Sequence, residues 1–122
     1  MEFHKKDAIY LQIAGLMCER ILRDTWPEND RIPSVRELAV NMEVNPNTVM
    51  RTYAYLQDHG IIFKKRGIGY FVAAEGRKAT RRLLKSNFVR NELPRVFKTL
   101  DLLNLDFDEL YSLYREYQEE NK

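Results

Sequence analysis

The sequence predicts a mostly α-helical protein with one small β-hairpin, namely a winged helix-turn-helix followed by a two-helix C-terminal dimerisation region. Three observations support this fold class. Residues 33–60 combine two short amphipathic segments with a tight turn, residues 61–72 are β-prone and carry two glycines, and residues 75–122 return to helical apolar spacing. We therefore expect one domain over residues 1–74 and a helical dimerisation region over residues 75–122.

The first predicted helix runs from Ala8 to about Asp24, with Asp7 as its cap and residues 1–7 loose. Its apolar residues recur at the spacing of one buried helix face, and they are Ile9, Ile13, Leu16, Met17 and Ile21. We expect Arg31-Ile32 to form a short β element that pairs with the later hairpin.

The helix-turn-helix is predicted to start at Ser34. Glu37 follows three residues later, which is the capping-box spacing. A turn is expected over residues 41–44, after a buried face made by Leu38, Ala39 and Met42. These signals predict a short first helix.

The second helix of the motif is predicted to begin with Asn45 as cap and Pro46 at the first helical position, where the missing N–H costs nothing. Val49, Tyr53 and Leu56 share one face, and Gly60 can adopt the left-handed conformation that ends a helix. Two helices, a tight turn and a polar start to the second helix are typical of helix-turn-helix proteins.

A hairpin is predicted directly after this motif. Residues 61–65 are β-prone, residues 66–69 contain Gly67 and Gly69, and residues 70–72 return. A hairpin with a basic tip after such a helix is a wing. The alternative is a plain structural β-turn whose lysines are solvated.

The C-terminal residues are predicted to form two helices. Pro94 is expected to kink or break the first of them, and Asp106 is expected to cap a final helix that ends near Glu120. Their apolar residues need a cover, for which a second copy of the chain is the simplest source. The expected interface residues are Phe88, Phe97, Leu100, Leu110 and Tyr114. Folding back onto the first helix in a monomer is the alternative.

Composition excludes several classes of protein. No apolar run approaches the roughly 18 residues of a membrane span, and the N-terminus has no signal-peptide core, so we expect a cytoplasmic protein without a membrane partner. The single Cys18 reads as a packing residue, and His4 and His59 have no partners at metal-ligand spacing. We expect no enzyme activity, no cofactor and no metal.

The net charge of +2 says less than the distribution of charge. Residues 75–98 carry eight basic and two acidic side chains, whereas residues 99–122 carry two basic and seven acidic ones. This asymmetry suggests that the two segments meet, within one chain or across a dimer. The basic part could also follow phosphates. The tyrosines at helical spacing are interpreted as packing residues rather than as base-stacking ones.

Four stretches together resemble the GntR family of bacterial transcriptional regulators, in its YtrA-like subfamily. They are Ile9-Tyr10-Leu11-Gln12-Ile13-Ala14, residues 32–39 (Ile-Pro-Ser-Val-Arg-Glu-Leu-Ala), residues 44–49 (Val-Asn-Pro-Asn-Thr-Val) and residues 67–72 (Gly-Ile-Gly-Tyr-Phe-Val). The resemblance implies a homodimer on a near-palindromic operator, usually acting as a repressor. The chain after the wing is too short for the large ligand-binding domain of other relatives. An effector, if any, is unknown.

The resemblance also implies roles for individual residues. Arg36 matches an arginine that contacts DNA, Asn47 and Thr48 match a polar pair at phosphate, and Gly67 matches the wing-tip glycine. Many relatives carry an arginine or glutamine where this chain has Met50. The arginine here is Arg51, which a single-residue offset rotates by about 100° around the helix, so phosphate rather than base contact is expected.

The chemistry of these side chains suits double-stranded DNA. Arginine can bind guanine with two hydrogen bonds, asparagine can pair with adenine, and the basic wing attracts phosphate. Asn45 can equally be a pure cap, and Arg36 can equally pair with Glu37 or Glu43. The candidate DNA-binding residues are Ser34, Arg36, Asn45, Asn47, Thr48, Arg51, Lys65, Arg66 and Gly67. The rival function is a winged-helix adaptor that binds protein or RNA without operator specificity.

Overall fold

The structure is a computed structural model that describes residues 7–122. The expectations for the segment before Asp7, and for His4, lie outside the described residues. The elements follow in the order α1 (Ile9–Leu22), α2 (Val35–Met42), α3 (Pro46–Asp58), β1 (Ile62–Lys65), β2 (Gly69–Val72), α4 (Gly76–Asn87), a π-helical turn (Phe88–Glu92), α5 (Leu93–Leu103) and α6 (Phe107–Glu120). The predicted fold class, mostly helical with a two-stranded antiparallel hairpin, is confirmed.

The chain divides into two units, the first ending at Leu84 and the second spanning Lys85–Lys122. The first unit continues past residue 74 because the start of α4 is packed. Ala79 and Thr80 on this helix are buried, and the Thr80 hydroxyl donates to the Gly76 carbonyl oxygen at 2.6 Å.

Helix α1 buries most of the apolar face that its spacing predicts, with Ile13, Met17 and Ile21 each at most 3% exposed and Leu16 half-buried. The prediction was wrong for Ile9, which is 53% exposed in the first turn of the helix. The prediction of Asp7 as its cap was wrong. Ala8 is the N-cap residue and provides no side-chain hydrogen bond. The carbonyl oxygen of Asp7 accepts a hydrogen bond from the Gln12 side chain at 2.9 Å instead. This bond pairs a side-chain donor and no backbone N–H of the first turn, so it does not cap the helix.

The two helices of the motif begin as predicted. Ser34 and Glu37 form a complete capping box, and the side chain of Asn45 accepts the N–H of Asn47. The turn between the helices is shorter than expected, since α2 continues to Met42. Glu43 adopts the left-handed conformation with φ 55°, and the N–H of Val44 donates to the Ala39 carbonyl oxygen. The hydrogen bonds of a Schellman-like end thus close α2 without a glycine.

Tyr53 lies at the centre of the first unit and is fully buried. Its hydroxyl donates to the carbonyl oxygen of Pro33 at 2.6 Å, and its ring packs edge-on against that of Tyr70 with centroids 4.8 Å apart. One side chain of α3 therefore contacts both the residue before α2 and strand β2. The surrounding core includes Leu38, Val49, Leu56, Ile61 and Val72.

The hairpin pairs Ile62 with Val72 and Lys65 with Gly69 in antiparallel register. The short β element before α2 is confirmed, because Arg31 forms an antiparallel bridge with Phe71 and the N–H of Ile32 donates to the Tyr70 carbonyl oxygen at 2.9 Å. These bonds attach the base of the hairpin to the segment that leads into α2.

The helix continues through Pro94, but its hydrogen-bonding pattern changes just before this residue. The turn before it widens into the π-helical turn, and Pro94 lies in the first turn of α5. A proline ring clashes with the carbonyl group four residues earlier and removes one donor, and a wider turn accommodates both effects. Further along, Asn104 adopts the left-handed conformation and Asp106 caps α6 as predicted. No helix within residues 7–122 is both long and apolar enough to cross a membrane.

Candidate nucleic-acid interface

The N-terminal end of α3 presents polar groups to solvent. Asn45 and Asn47 are exposed, and the Asn45 side-chain oxygen lies 2.8 Å from the Asn47 nitrogen. Asn45 thus acts as a cap and still has its amide NH₂ group on the surface. Thr48 is half-buried beside them. Unpaired N–H groups at the start of a helix add a preference for anions, so this end can bind phosphate and base edges.

Arg51 lies one turn further along α3 and stacks on helix α1. Its guanidinium carbon is 3.9 Å from the centroid of the Tyr10 ring. The neighbouring Thr52 is buried and donates its hydroxyl to the Tyr10 carbonyl oxygen at 2.8 Å. A stacked guanidinium keeps its N–H groups available while the ring restricts its position. Arg51 is therefore directed towards the α1 side of α3.

Arg36 is exposed in the first turn of α2, and within residues 7–122 it forms no ion pair with Glu37 or Glu43. The alternative role of Arg36, a surface salt bridge, is therefore not seen.

The carboxylate of Glu37 takes part in the capping box instead. It accepts the backbone N–H of Ser34 at 3.1 Å. This hydrogen bond is the main cause that lowers the pKa of the Glu37 carboxyl group, and a hydrogen bond with the Ser34 hydroxyl is the second. Ser34 is half-buried, and its hydroxyl accepts the Glu37 N–H.

The hairpin tip is basic and open. Arg66 and Gly67 are exposed, as is Lys65, whose ammonium group lies 5.2 Å from the centroid of the Phe71 ring. Gly67 has φ +77°, and a Cβ atom placed there would meet nothing within 4 Å. Glycine is thus required by the backbone conformation rather than by space, and the bare tip can approach another molecule closely.

Arg31 is a basic residue that the sequence interpretation treated only as part of a β element. Its Nε atom would lie 3.0 Å from a Cβ atom on Gly69. Its guanidinium therefore lies against Gly69, at the end of β2 next to the turn, and its charge makes a minor contribution to lowering the pKa of Glu37. The sequence did offer one indication of this role, namely a basic residue in the short β element that was predicted to pair with the hairpin.

Met50 is a second residue that was left outside the candidate set. It is 55% exposed on α3, between Asn47 and Ala54 at helical spacing, and both of these neighbours are exposed as well. The signal in the sequence was an apolar residue off the stripe formed by Val49 and Tyr53.

The candidate DNA-binding residues all belong to the first unit. They lie on three elements that Tyr53 connects, namely the start of α2, the start of α3 and the hairpin. The five expected interface residues belong to the second unit, where three are 46–52% exposed and two are half-buried. These are Phe88, Phe97 and Tyr114 in the first group and Leu100 and Leu110 in the second.

Among residues 7–122, the cysteine and the histidine each pack against neighbouring residues. Cys18 is 1% exposed, and burial raises the pKa of its thiol to about 12, which confirms its interpretation as a packing residue. His59 follows α3 and packs against Tyr55 with centroids 4.6 Å apart. Over residues 7–122, no group of three or more His, Cys, Asp or Glu side chains is arranged to hold a metal ion.

Comparison with known proteins adds three relatives. Residues 9–72 match the family described as bacterial regulatory proteins, gntR family. The uncharacterized HTH-type transcriptional regulator YhcF of Bacillus subtilis is 36% identical over 109 residues, covering 89% of this chain and 88% of that protein. The HTH-type transcriptional repressor YtrA of the same organism is 32% identical over 108 residues, covering 88% and 82%. A crystal structure of a regulator from Bacteroides thetaiotaomicron, described as of the GntR family, superposes with a TM-score of 0.81 at 43% identity, covering 94% of this chain and 100% of that one.

Proposed function

Because the chain belongs to the GntR family of DNA-binding transcriptional regulators, we propose that it is a repressor that binds a near-palindromic operator as a homodimer. The observation that carries this proposal is the combination of an exposed polar end on α3 with an exposed basic hairpin in the same unit. In this arrangement α3 is the recognition helix and the hairpin is the wing.

Each candidate residue then has a role that its chemistry supports. Arg36 reads guanine, the commonest base-specific contact of an arginine. Asn47 contacts base edges or phosphate, and Thr48 donates to phosphate. Arg51 binds phosphate from its position over Tyr10. Ser34 and Asn45 hold the helix ends that face the DNA.

The wing provides the sequence-independent part of binding. Lys65 and Arg66 neutralise phosphates and release counterions, which makes binding depend on salt. Gly67 brings the backbone close to the minor groove, where a side chain would obstruct the approach. In this proposal the wing binds phosphates, and residues of α2 and α3 recognise the bases.

The second unit supports a homodimer, and we propose residues 75–122 as the dimerisation region. Helices α5 and α6 expose more large apolar side chains than a solvated surface normally carries. These include Leu102 and Phe107, each more than 70% exposed, and Tyr111, Tyr114 and Tyr117, each at least 50% exposed. A second copy would cover them and would also place two recognition helices on inverted half-sites.

Repression is supported by one of the relatives, since YtrA of Bacillus subtilis is named a transcriptional repressor. A dimer bound across a promoter blocks access to it without further chemistry. The relatives YhcF and YtrA are named a transcriptional regulator and a transcriptional repressor, and we propose no catalytic activity for this chain. We place the protein in the bacterial cytoplasm, with the chromosome it would bind, and propose no effector.

Selection of random double-stranded DNA by the purified protein tests the operator. We expect enrichment of a sequence with two inverted half-sites whose centres lie about one helical turn or slightly more apart. The Asn47→Ala variant should lose enrichment, whereas Gln57→Ala, at the opposite end of α3, should retain it. Failure of the wild-type protein to enrich any sequence at low salt would contradict the proposal.

Transcription in vitro tests the direction of regulation. The selected sequence is placed across a promoter, and the transcript is measured as protein is added. Repression predicts that the transcript falls with the same protein concentration that fills the operator. A transcript that rises would identify an activator instead.

A further inference from the structure

Recognition helix α3 carries an apolar strip in the middle of its otherwise polar exposed side. Met50 is 55% exposed, and it lies three residues after Asn47 and four before Ala54, so the three share one side of the helix. Neither apolar residue belongs to the buried core. Single exposed apolar side chains are common on protein surfaces, but this one lies beside Asn47 on the helix that we propose enters the major groove.

The arginine next to Met50 in the sequence, Arg51, does not lie over the apolar strip. Arg51 follows Met50 directly, but its guanidinium carbon lies 3.9 Å from the Tyr10 ring centroid, on the α1 side of α3. Thr52 fixes that side through its hydrogen bond with the Tyr10 carbonyl oxygen at 2.8 Å. The side of α3 that carries Met50 and Ala54 is therefore not covered by the guanidinium of Arg51.

We propose that Met50 recognises the C5-methyl group of a thymine in each half-site of the operator, with Ala54 completing the apolar contact. This inference rests on the proposed function. The thymine methyl is the one apolar group that the bases present in the major groove, and an apolar side chain discriminates it by contact. Methionine suits this task because its unbranched, polarisable chain adapts to the shape it meets.

Replacement of thymine by deoxyuridine in the selected operator tests the proposal, since it removes the methyl group and keeps every hydrogen-bonding group. Burying one methyl group corresponds to about fourfold in affinity. We expect one thymine position per half-site at which uracil weakens wild-type binding by about that factor, and by about fifteenfold when both half-sites are changed.

Variants at Met50 assign the effect. Met50→Ala should bind thymine and uracil operators about equally, whereas Met50→Leu should keep most of the discrimination because it keeps an apolar contact. Val40→Ala is the control, since Val40 is an exposed apolar residue on α2, 76% exposed, and it should leave the discrimination unchanged. Circular dichroism and thermal unfolding should show all three variants folded.

These experiments distinguish failure of the role proposed for Met50 from failure of operator binding as a whole. Specific operator binding with no uracil-sensitive position, or a sensitivity that persists in Met50→Ala, overturns the role of Met50 and leaves the regulator intact. Absence of any specific binding by the wild-type protein overturns both.

Discussion

The hydroxyl group of Tyr53 donates a hydrogen bond to the carbonyl oxygen of Pro33 at 2.6 Å, inside the first unit. This bond connects the middle of recognition helix α3 to the residue that precedes the capping box of α2. Burial raises the pKa of Tyr53, so the phenol stays protonated and keeps donating throughout the neutral range. This polar contact adds to the apolar packing of Leu38 on α2 and Leu56 on α3 in the same core.

Tyr53→Phe should lower the free energy of unfolding by about 1–2 kcal/mol, because it leaves the Pro33 carbonyl without its partner while the ring still fills the core. Urea unfolding measures the change. Tyr117→Phe, whose ring is 61% exposed, is the matched control and should alter stability little. Equal stability of Tyr53→Phe and wild type would show that the bond contributes nothing.

The capping box should make α2 sensitive to acid. The hydrogen bonds from Ser34 lower the pKa of Glu37 in the folded state, so its carboxylate contributes stability above its ordinary unfolded pKa. That contribution should be lost as pH falls through the lowered folded value. Unfolding of wild type and Glu37→Gln from pH 6 to pH 3 should show a gap that is largest at the upper end and closes with acid. A gap independent of pH would contradict this account.

Arg36→Ala should abolish specific operator binding and leave folding intact. The side chain is exposed and makes no ion pair with Glu37 or Glu43, so its removal costs the core nothing. Loss of a two-pronged guanine contact corresponds to roughly fivefold to a hundredfold per half-site. Electrophoretic mobility shifts with specific and random DNA measure it. Arg23→Ala is the control, since Arg23 is exposed and pairs with Glu19 on α1. Unchanged operator affinity of Arg36→Ala would refute its role.

Arg51→Ala should weaken binding to all sequences alike. A lost phosphate contact lowers the slope of log affinity against log salt by about one, hence about two for a dimer. Tyr10→Leu should weaken binding less and leave the slope unchanged, because it removes the ring that positions the guanidinium and not the charge. Titrations at several salt concentrations give both slopes. A changed base preference with an unchanged slope would instead place Arg51 on a base.

Phe97→Glu should convert the dimer to monomers and reduce operator affinity. It places a charge among apolar side chains of α5 that are 37–74% exposed in the single chain. Lys98→Gln lowers the net charge by the same amount at the adjacent exposed position, and it should leave the dimer intact. Light scattering measures the mass of each variant. A Phe97→Glu protein that remains dimeric would remove α5 from the interface.

The sequence correctly predicted those helix caps and helix ends that depend on residues close together in the chain. The capping box of Ser34, the cap of Asn45 and the left-handed Gly60 at φ 71° each depend on neighbours within a few residues, and all three are confirmed. The buried face of Val49, Tyr53 and Leu56 follows from helical spacing alone.

Three features were not predicted from the sequence, and two of them depend on contacts between distant residues. Helix α2 extends to Met42 because Glu43 accepts a left-handed conformation that no residue preference indicates. The stacking of Arg51 on Tyr10 joins residues on two different helices, and the contact of Arg31 with Gly69 joins the segment before α2 to the turn end of β2.

The mass of the protein–DNA complex shows whether the chain binds its operator as a homodimer. Light scattering is measured on the purified chain with a duplex that contains the selected palindrome, and on a duplex with one half-site scrambled. We predict two chains on the palindrome and sharply weaker binding of the scrambled duplex. One chain on the palindrome, bound as tightly as on the single half-site, would contradict a regulator that works as a homodimer.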